Sequence, residues 1–161
     1  MKSSILASLA ALATLLSSAL ASPLSDLVEK HGLSWMVGKW ETAGGEASLA
    51  YEWRVEKNVL AVAFSAGERE SEGMIALKPG STEAKYMAVD SKGSVSHGGW
   101  SEHNGNPLLK TTTMTAEGET RTMAIEHIKV DADTMKVVVY KTDSSGTIGD
   151  QLMEAEFIRK K

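Results

Sequence analysis

The sequence predicts an all-β protein, an antiparallel up-and-down barrel of about ten strands with a short N-terminal helix. Beyond Gly32, apolar and polar residues alternate with period two, which is typical of half-buried strands. Turn residues interrupt this alternation about every 8–12 residues, as they do in sandwiches and barrels. The barrel is favoured because closure leaves no free sheet edge, and a two-sheet sandwich is the alternative.

The helix and four of the strands follow from local signals. Ser22 is a candidate N-cap, Pro23 fits the first helical position, and Gly32 is a natural stop. One apolar face of the helix is formed by Leu24, Leu27 and Val28. The strands that lie outside the predicted hairpins are Gly38–Thr42, Glu72–Leu77, Leu108–Thr115 and Leu152–Arg159.

The first hairpin is predicted from its register. A two-residue turn at Lys57-Asn58 makes Val55 face Leu60 and places six side chains on one face of the strand pair. A slip by one residue would mix the apolar and polar sets, so this face is expected to be buried. Its members are Tyr51, Trp53, Val55, Leu60, Val62 and Phe64.

Two more hairpins follow from turn residues. The turn at Asp90–Gly93, with Asp90 opposite Ser94, groups Met87, Val89, Val95 and His97. The turn at Asp131–Asp133 groups Met123, Ile125, His127, Val137 and Val139. Both apolar faces are expected to point into the barrel.

The first 21 residues predict a cleaved signal peptide. Met1-Lys2 is a positive start, and residues 5–20 form an almost uninterrupted Ala-, Leu- and Ser-rich run. Small residues in Ala19–Ala21 indicate cleavage before Ser22. The run is too short and too rich in small residues to be a membrane anchor. Residues 22–161 are then one secreted or periplasmic domain.

Charge and cysteine content exclude several kinds of partner. Removal of Lys2 leaves 16 basic and 21 acidic side chains, so the mature chain is mildly acidic. A chain without a basic stripe is not expected to bind nucleic acid or an anionic membrane surface. The sequence contains no cysteine, which removes disulfides, thiolate chemistry and a lipid-carrying cysteine.

Motifs at both ends of the domain resemble those of the lipocalins and the wider calycin superfamily. Leu33–Trp40 places Gly-x-Trp at the start of the first strand, and Glu156–Arg159 ends the last strand with an arginine. Tyr51–Arg54, Asp90–Gly93 and Gly98–Trp100 are similar to motifs of secreted bacterial lipocalin-like domains of unknown function. The resemblance covers nearly the whole mature chain, although the disulfides and other loop motifs of typical lipocalins are missing.

The resemblance implies a structural role for Gly38, Trp40 and Arg159. The tryptophan is expected to pack across the closed end of the barrel. The arginine is expected to stack its guanidinium on the indole ring and to donate hydrogen bonds to nearby carbonyl groups. These roles imply closure of the barrel and say nothing about what it holds.

No sequence motif indicates catalysis. Residues 99–103 begin like a Gly-x-Ser-x-Gly nucleophile elbow but lack its second glycine and lie in a predicted strand. We therefore expect a protein that is not an enzyme, with a hydrolase as the catalytic alternative. His97 and His127 lie on apolar faces, where a histidine either bonds a neighbouring hydroxyl or carbonyl group or binds a ligand, haem or metal.

The apolar interior is the best candidate for a binding site. Its expected lining consists of Tyr51, Trp53, Phe64, Met87, His97, Trp100, Met114, Met123 and His127. Trp100 ranks lower because its parity is opposite to that of His97 unless Gly98 and Gly99 admit a bulge. Small barrels either fill with side chains or hold one small ligand.

The preferred hypothesis is a non-catalytic barrel that binds a small, mostly apolar molecule and needs no cofactor. Tyr51, His97 or His127 would orient the ligand through one or two polar contacts. The alternatives are a haem or metal site at an interior histidine, and a filled barrel that acts through its surface.

Overall fold

A computed structural model describes residues 23–161, which form a closed antiparallel barrel of ten strands. The predicted signal peptide, residues 1–21, lies outside the described residues. The elements are α1 (Leu24–Lys30), a 3-10 turn (Ser34–Met36), β1 (Gly38–Glu41), β2 (Ala47–Arg54), β3 (Val59–Ala66), β4 (Arg69–Leu77), β5 (Ala84–Asp90), β6 (Val95–His103), β7 (Asn106–Met114), β8 (Thr120–Lys129), β9 (Thr134–Thr142) and β10 (Ile148–Arg159). Consecutive strands pair, and β1 pairs with β10, so the predicted up-and-down barrel is confirmed.

The barrel has two different ends. Helix α1 lies at the end that carries the β2–β3 loop, where the backbone N–H of Ser25 donates to the carbonyl oxygen of Lys57 (3.2 Å). Leu24 on this helix is buried in the barrel core, and Leu27 and Val28 pack against that core. We call this the closed end and the opposite end the mouth. No helix within residues 23–161 has the length and apolarity needed to cross a membrane.

A tryptophan and an arginine hold the closed end together. The Trp40 ring is buried, and the Arg159 guanidinium carbon lies 4.1 Å from its centroid. Arg159 Nη1 donates to the carbonyl oxygen of Val37 (3.0 Å), and Nη2 donates to that of Trp35 (2.6 Å). The indole Nε1 of Trp40 donates to the carbonyl oxygen of Met36 (2.9 Å). The contacts expected from the motif resemblance are therefore present.

The seam that closes the barrel is short. β1 and β10 share only the pairs Trp40–Arg159 and Glu41–Ile158. Gly38 begins β1 with φ of +136°, and a Cβ there would lie 2.5 Å from Arg159 Nη1. Glycine at this position therefore makes room for the arginine.

The register of the first hairpin differs from the prediction by two residues. Tyr51 pairs with Val62 and Trp53 pairs with Leu60, so the predicted two-residue turn is wrong. Residues 55–58 form a longer loop, with positive φ at three successive positions from Val55. Because a shift by two preserves the faces, only Val55 is misassigned, and its side chain is exposed.

The second hairpin has the predicted register but the opposite orientation. Met87 pairs with His97, and Val89 pairs with Val95. All four side chains are exposed on the outer face, so their predicted interior placement is wrong. Period two identifies which residues share a face, whereas either face of an apolar hairpin can point inward. The third hairpin groups the predicted residues on one face, and this face points inward.

Two adjacent glycines in β6 differ in the space around them. Pairing of β6 with β5 and β7 is continuous, so the alternative of a bulge at these glycines is wrong. A Cβ on Gly98 would overlap the backbone carbonyl oxygen of Lys110, whereas one on Gly99 would lie 3.7 Å from its nearest neighbour, the carbonyl oxygen of Ala84. Gly98 therefore permits the close approach of β6 and β7.

This difference predicts unequal effects of alanine at the two positions. We expect Gly98→Ala to lower the free energy of unfolding by about 1–3 kcal/mol, because the strands must move apart. Gly99→Ala should change it by less than about 0.5 kcal/mol. Urea unfolding followed by circular dichroism measures both values, and equal losses would contradict the tight β6–β7 contact.

Candidate functional site

The barrel encloses a cavity of about 320 Å³ that reaches the mouth. Its wall is mostly apolar because inward-facing side chains of nine strands, β2 to β10, converge on it. Prominent members of the wall are Leu49, Val62, Phe64, Leu109, Ile125 and Phe157. A ligand in this space would leave water for an apolar surface, which is favourable by about 25 cal/mol per Å² buried.

A tyrosine and a histidine form a polar pair in the cavity wall. The Tyr51 hydroxyl lies 2.8 Å from His127 Nε2, and each residue is 2% exposed. The indole of Trp100 packs beside the imidazole, with 5.1 Å between the ring centroids. The three side chains come from β2, β8 and β6, and only closure of the barrel brings them together.

The pKa shifts of Tyr51 and His127 indicate a site of low polarity. Burial lowers the pKa of His127 to about 4, so the imidazole is neutral at physiological pH. The carbonyl groups of Ile125 and Pro107 oppose this shift, although neither forms a hydrogen bond of acceptable geometry with Nδ1. Burial also raises the pKa of Tyr51, and its neighbour Tyr86 raises it further.

Two buried nitrogen atoms near the cavity have no hydrogen-bond partner among the described residues: Trp100 Nε1 and His127 Nδ1. Donation from the Tyr51 hydroxyl to His127 Nε2 leaves fewer unpaired groups than the reverse direction. The single N–H proton of the neutral imidazole is therefore assigned to Nδ1. Both unpaired groups are then donors. An unpaired buried donor costs about 1–3 kcal/mol, which a ligand with an acceptor atom could recover.

Charged groups occur at the mouth of the cavity. Arg69 Nη2 lies 3.0 Å from Asp90 Oδ2 in a salt bridge at the rim. Ser96 and Thr113 also line this cavity, and their hydroxyl groups lie 2.7 Å apart and form a hydrogen bond. The cavity therefore changes from charged and polar at its rim to apolar along its wall.

A second cavity of about 320 Å³ lies at the closed end, between α1 and the barrel. Its lining includes Leu27 and Val28 of the helix and Ile75 of β4. Trp100 lines both cavities. The indole of this residue is therefore part of the boundary between the two spaces.

The structure brings five of the predicted ligand-contacting residues together and separates the others. The five that line the interior cavity are Tyr51, Phe64, Trp100, Met123 and His127. Trp53 points inward but packs into the core near the closed end, away from both cavity linings. Met87, His97 and Met114 lie on the outer face, so their predicted placement in the interior is wrong.

Sequence reasoning missed Tyr86, Thr111 and Thr113, which also line the cavity. A signal for Tyr86 was available in its strand. Lys85 and Met87 are two residues apart and lie on the same face of the strand. Because lysine is rarely buried, Lys85 indicates that this face points outward. The alternate face, which carries Tyr86, should have been assigned to the interior.

The two histidines considered for haem or metal binding lie on opposite faces of the barrel wall. His97 is exposed outside, whereas His127 is buried inside and its Nε2 already contacts Tyr51. Within residues 23–161, no group of three His, Asp or Glu side chains is arranged to hold a metal ion. Comparison with known proteins finds no matching family model and no matching curated protein.

Proposed function

We propose that the barrel binds one small, neutral, mostly apolar molecule that carries a hydrogen-bond acceptor. The proposal rests on the cavity of about 320 Å³ inside the barrel. This volume is at the lower end of the range of small-molecule sites, about 300–1,000 Å³. A lipocalin-like mode of binding without catalysis, in a protein exported by a cleaved signal peptide, is part of the proposal.

The chemistry of the wall supports a neutral ligand. The lowered pKa of His127 and the raised pKa of Tyr51 both result from burial, so a charged ligand would lose hydration without gaining a counter-ion at that depth. The indole N–H of Trp100 has no partner and would donate to a carbonyl, ether or hydroxyl oxygen of the ligand. The mouth, with Arg69 and Asp90, admits the ligand and remains hydrated.

Native mass spectrometry tests the proposal directly. The mature protein, purified from its own host, should show a mass that exceeds the denatured mass by that of one small molecule. Fragmentation of the released compound would identify its class. A bare mass, together with no thermal stabilisation by a panel of small neutral apolar compounds, would contradict interior binding and favour a surface function.

A cavity-filling variant should weaken binding without unfolding the barrel. We expect Val139→Trp to weaken the binding of a neutral apolar probe with an acceptor oxygen, such as 2-methoxynaphthalene, at least tenfold, because the indole would occupy the cavity that Val139 lines. Val95→Trp places the same side chain on the outer face and should leave the affinity unchanged. Titration of probe fluorescence measures both affinities, and equal affinities would contradict the proposed site.

A further inference from the structure

The last strand has a long edge without a strand partner. β10 spans twelve residues, whereas β1 spans four and pairs only with Ile158 and Arg159. After Glu41 the chain turns back toward β2, where the backbone N–H of Thr42 donates to the carbonyl oxygen of Ala47. Within residues 23–161, the β1-facing edge of β10 over residues 148–157 therefore has no neighbouring strand.

The hydrogen bonds at the end of β10 show which backbone groups face this gap. The N–H of Arg159 donates toward β9, to the carbonyl oxygen of Asp133 (2.9 Å), and the N–H of Lys160 donates toward β1, to that of Lys39 (2.8 Å). Backbone groups alternate in direction along a strand, and pairing with β9 is regular from Ile158 back to Met153. The N–H and C=O groups of Glu154 and Glu156 therefore point into the gap.

Side chains do not cover this edge. Leu152 and Met153 are each 55% exposed, and Glu154 and Glu156 are exposed. Met153 also borders the interior cavity. An exposed edge with free backbone donors and acceptors and large apolar side chains is a site where an extended chain can add as a further strand.

The charge along the edge indicates which kind of chain would complement it. Asp150, Glu154 and Glu156 are acidic, and Lys136 stands opposite Glu156 on β9, so the acidic character is only partly balanced. Antiparallel pairing of two copies through β10 would bring these carboxylates close together, which disfavours a second copy. From Met153 to Phe157, side chains alternate between cavity-facing apolar residues and outward-facing glutamates. The matching strand alternates apolar and basic residues.

We propose that the free edge of β10 binds an extended, basic segment of another protein by antiparallel strand addition. The backbone N–H and C=O groups of Glu154 and Glu156 form hydrogen bonds with the added strand. The side chains of these glutamates face its lysine or arginine residues. Apolar residues of the added strand cover Met153 and the neighbouring cavity rim. This interaction does not depend on occupancy of the cavity.

A labelled alternating lysine–valine nonapeptide is a suitable probe, with fluorescence anisotropy as the measurement. The whole mature protein should bind this peptide, and should bind the corresponding glutamate–valine peptide at least tenfold more weakly. Methylation of every backbone nitrogen of the probe should abolish binding. Methylation of the valine nitrogens alone should retain it, because the lysine residues stand opposite the glutamates and their N–H groups form the edge that faces β10.

Variants of the protein separate the backbone contribution from the charge. Glu156→Pro removes a gap-facing N–H and should weaken binding at least tenfold, while Glu156→Gln keeps the N–H and should weaken it about threefold. If the proline variant misfolds by circular dichroism, the methylated probes still decide the question. Equal affinity for the fully methylated peptide, no affinity for the lysine–valine peptide, or a dimer through β10 in light scattering would overturn the proposal.

Discussion

The Trp40→Ala variant should unfold with a free energy about 3–5 kcal/mol below that of the wild type, the cost typical of removing a fully buried aromatic ring. Trp40 is 1% exposed, and its ring supports the guanidinium of Arg159. Loss of the indole also leaves the carbonyl oxygen of Met36 without its donor. Urea unfolding, followed by circular dichroism at several wavelengths, measures the free energy.

Trp53→Ala is the matched control for this prediction. Trp53 also points inward but is only half-buried and is not part of the arginine stack. The same substitution there should cost less than about 3 kcal/mol. If the free energy of unfolding falls equally in the two variants, the stacking of Arg159 on Trp40 has no special importance for the stability of the barrel.

Acidification should destabilise the protein through His127. The pKa of this residue is about 4 in the folded protein because of burial, whereas an unfolded chain has the ordinary value near 6.5. The unfolded state therefore binds the proton first. The contribution to stability is complete above pH 6.5 and is lost as the pH falls toward 4. At 1.36 kcal/mol per pKa unit, the loss approaches about 3 kcal/mol.

Two variants isolate this effect. His127→Gln should show a nearly flat stability between pH 6.5 and 4.5, whereas His97→Gln, on the exposed outer face, should retain the wild-type slope. Carboxyl groups act at lower pH: hydrogen bonds from the Ser145 hydroxyl and nearby backbone N–H groups lower the pKa of Asp143, whose stabilising effect is lost only below its usual value of about 4. An unchanged slope in His127→Gln would show that the imidazole is not buried as described.

Much of the fold could be predicted from local signals. Period two and turn residues located all ten strands, since each strand places one face in the core. The loop after β2 could not be predicted, because Val55, Glu56 and Lys57 adopt positive φ without a glycine. Tertiary packing at this loop, including the contact of Ser25 with Lys57, overrides the local preference.

The site was less predictable than the fold. Tyr51 and His127 were identified because an aromatic residue and a histidine interrupt strongly apolar faces. Their contact spans 76 residues of sequence and depends on barrel closure, so spacing alone could not reveal it. The orientation predicted for the β5–β6 hairpin is wrong because its two faces are similarly apolar. Met87 and Val89 lie on one face, and Tyr86 and Ala88 lie on the other.

The short seam between β1 and β10 has a consequence for how the chain folds. Every other strand pair is a hairpin that closes over a few residues, whereas the pair Trp40–Arg159 joins strands at opposite ends of the domain. Closing so long a loop costs more chain entropy than closing a hairpin, so it is expected after the hairpins have formed. The same seam should open first in the native state. Amide hydrogens of β1 and the end of β10 should therefore exchange faster than those of β7 and β8.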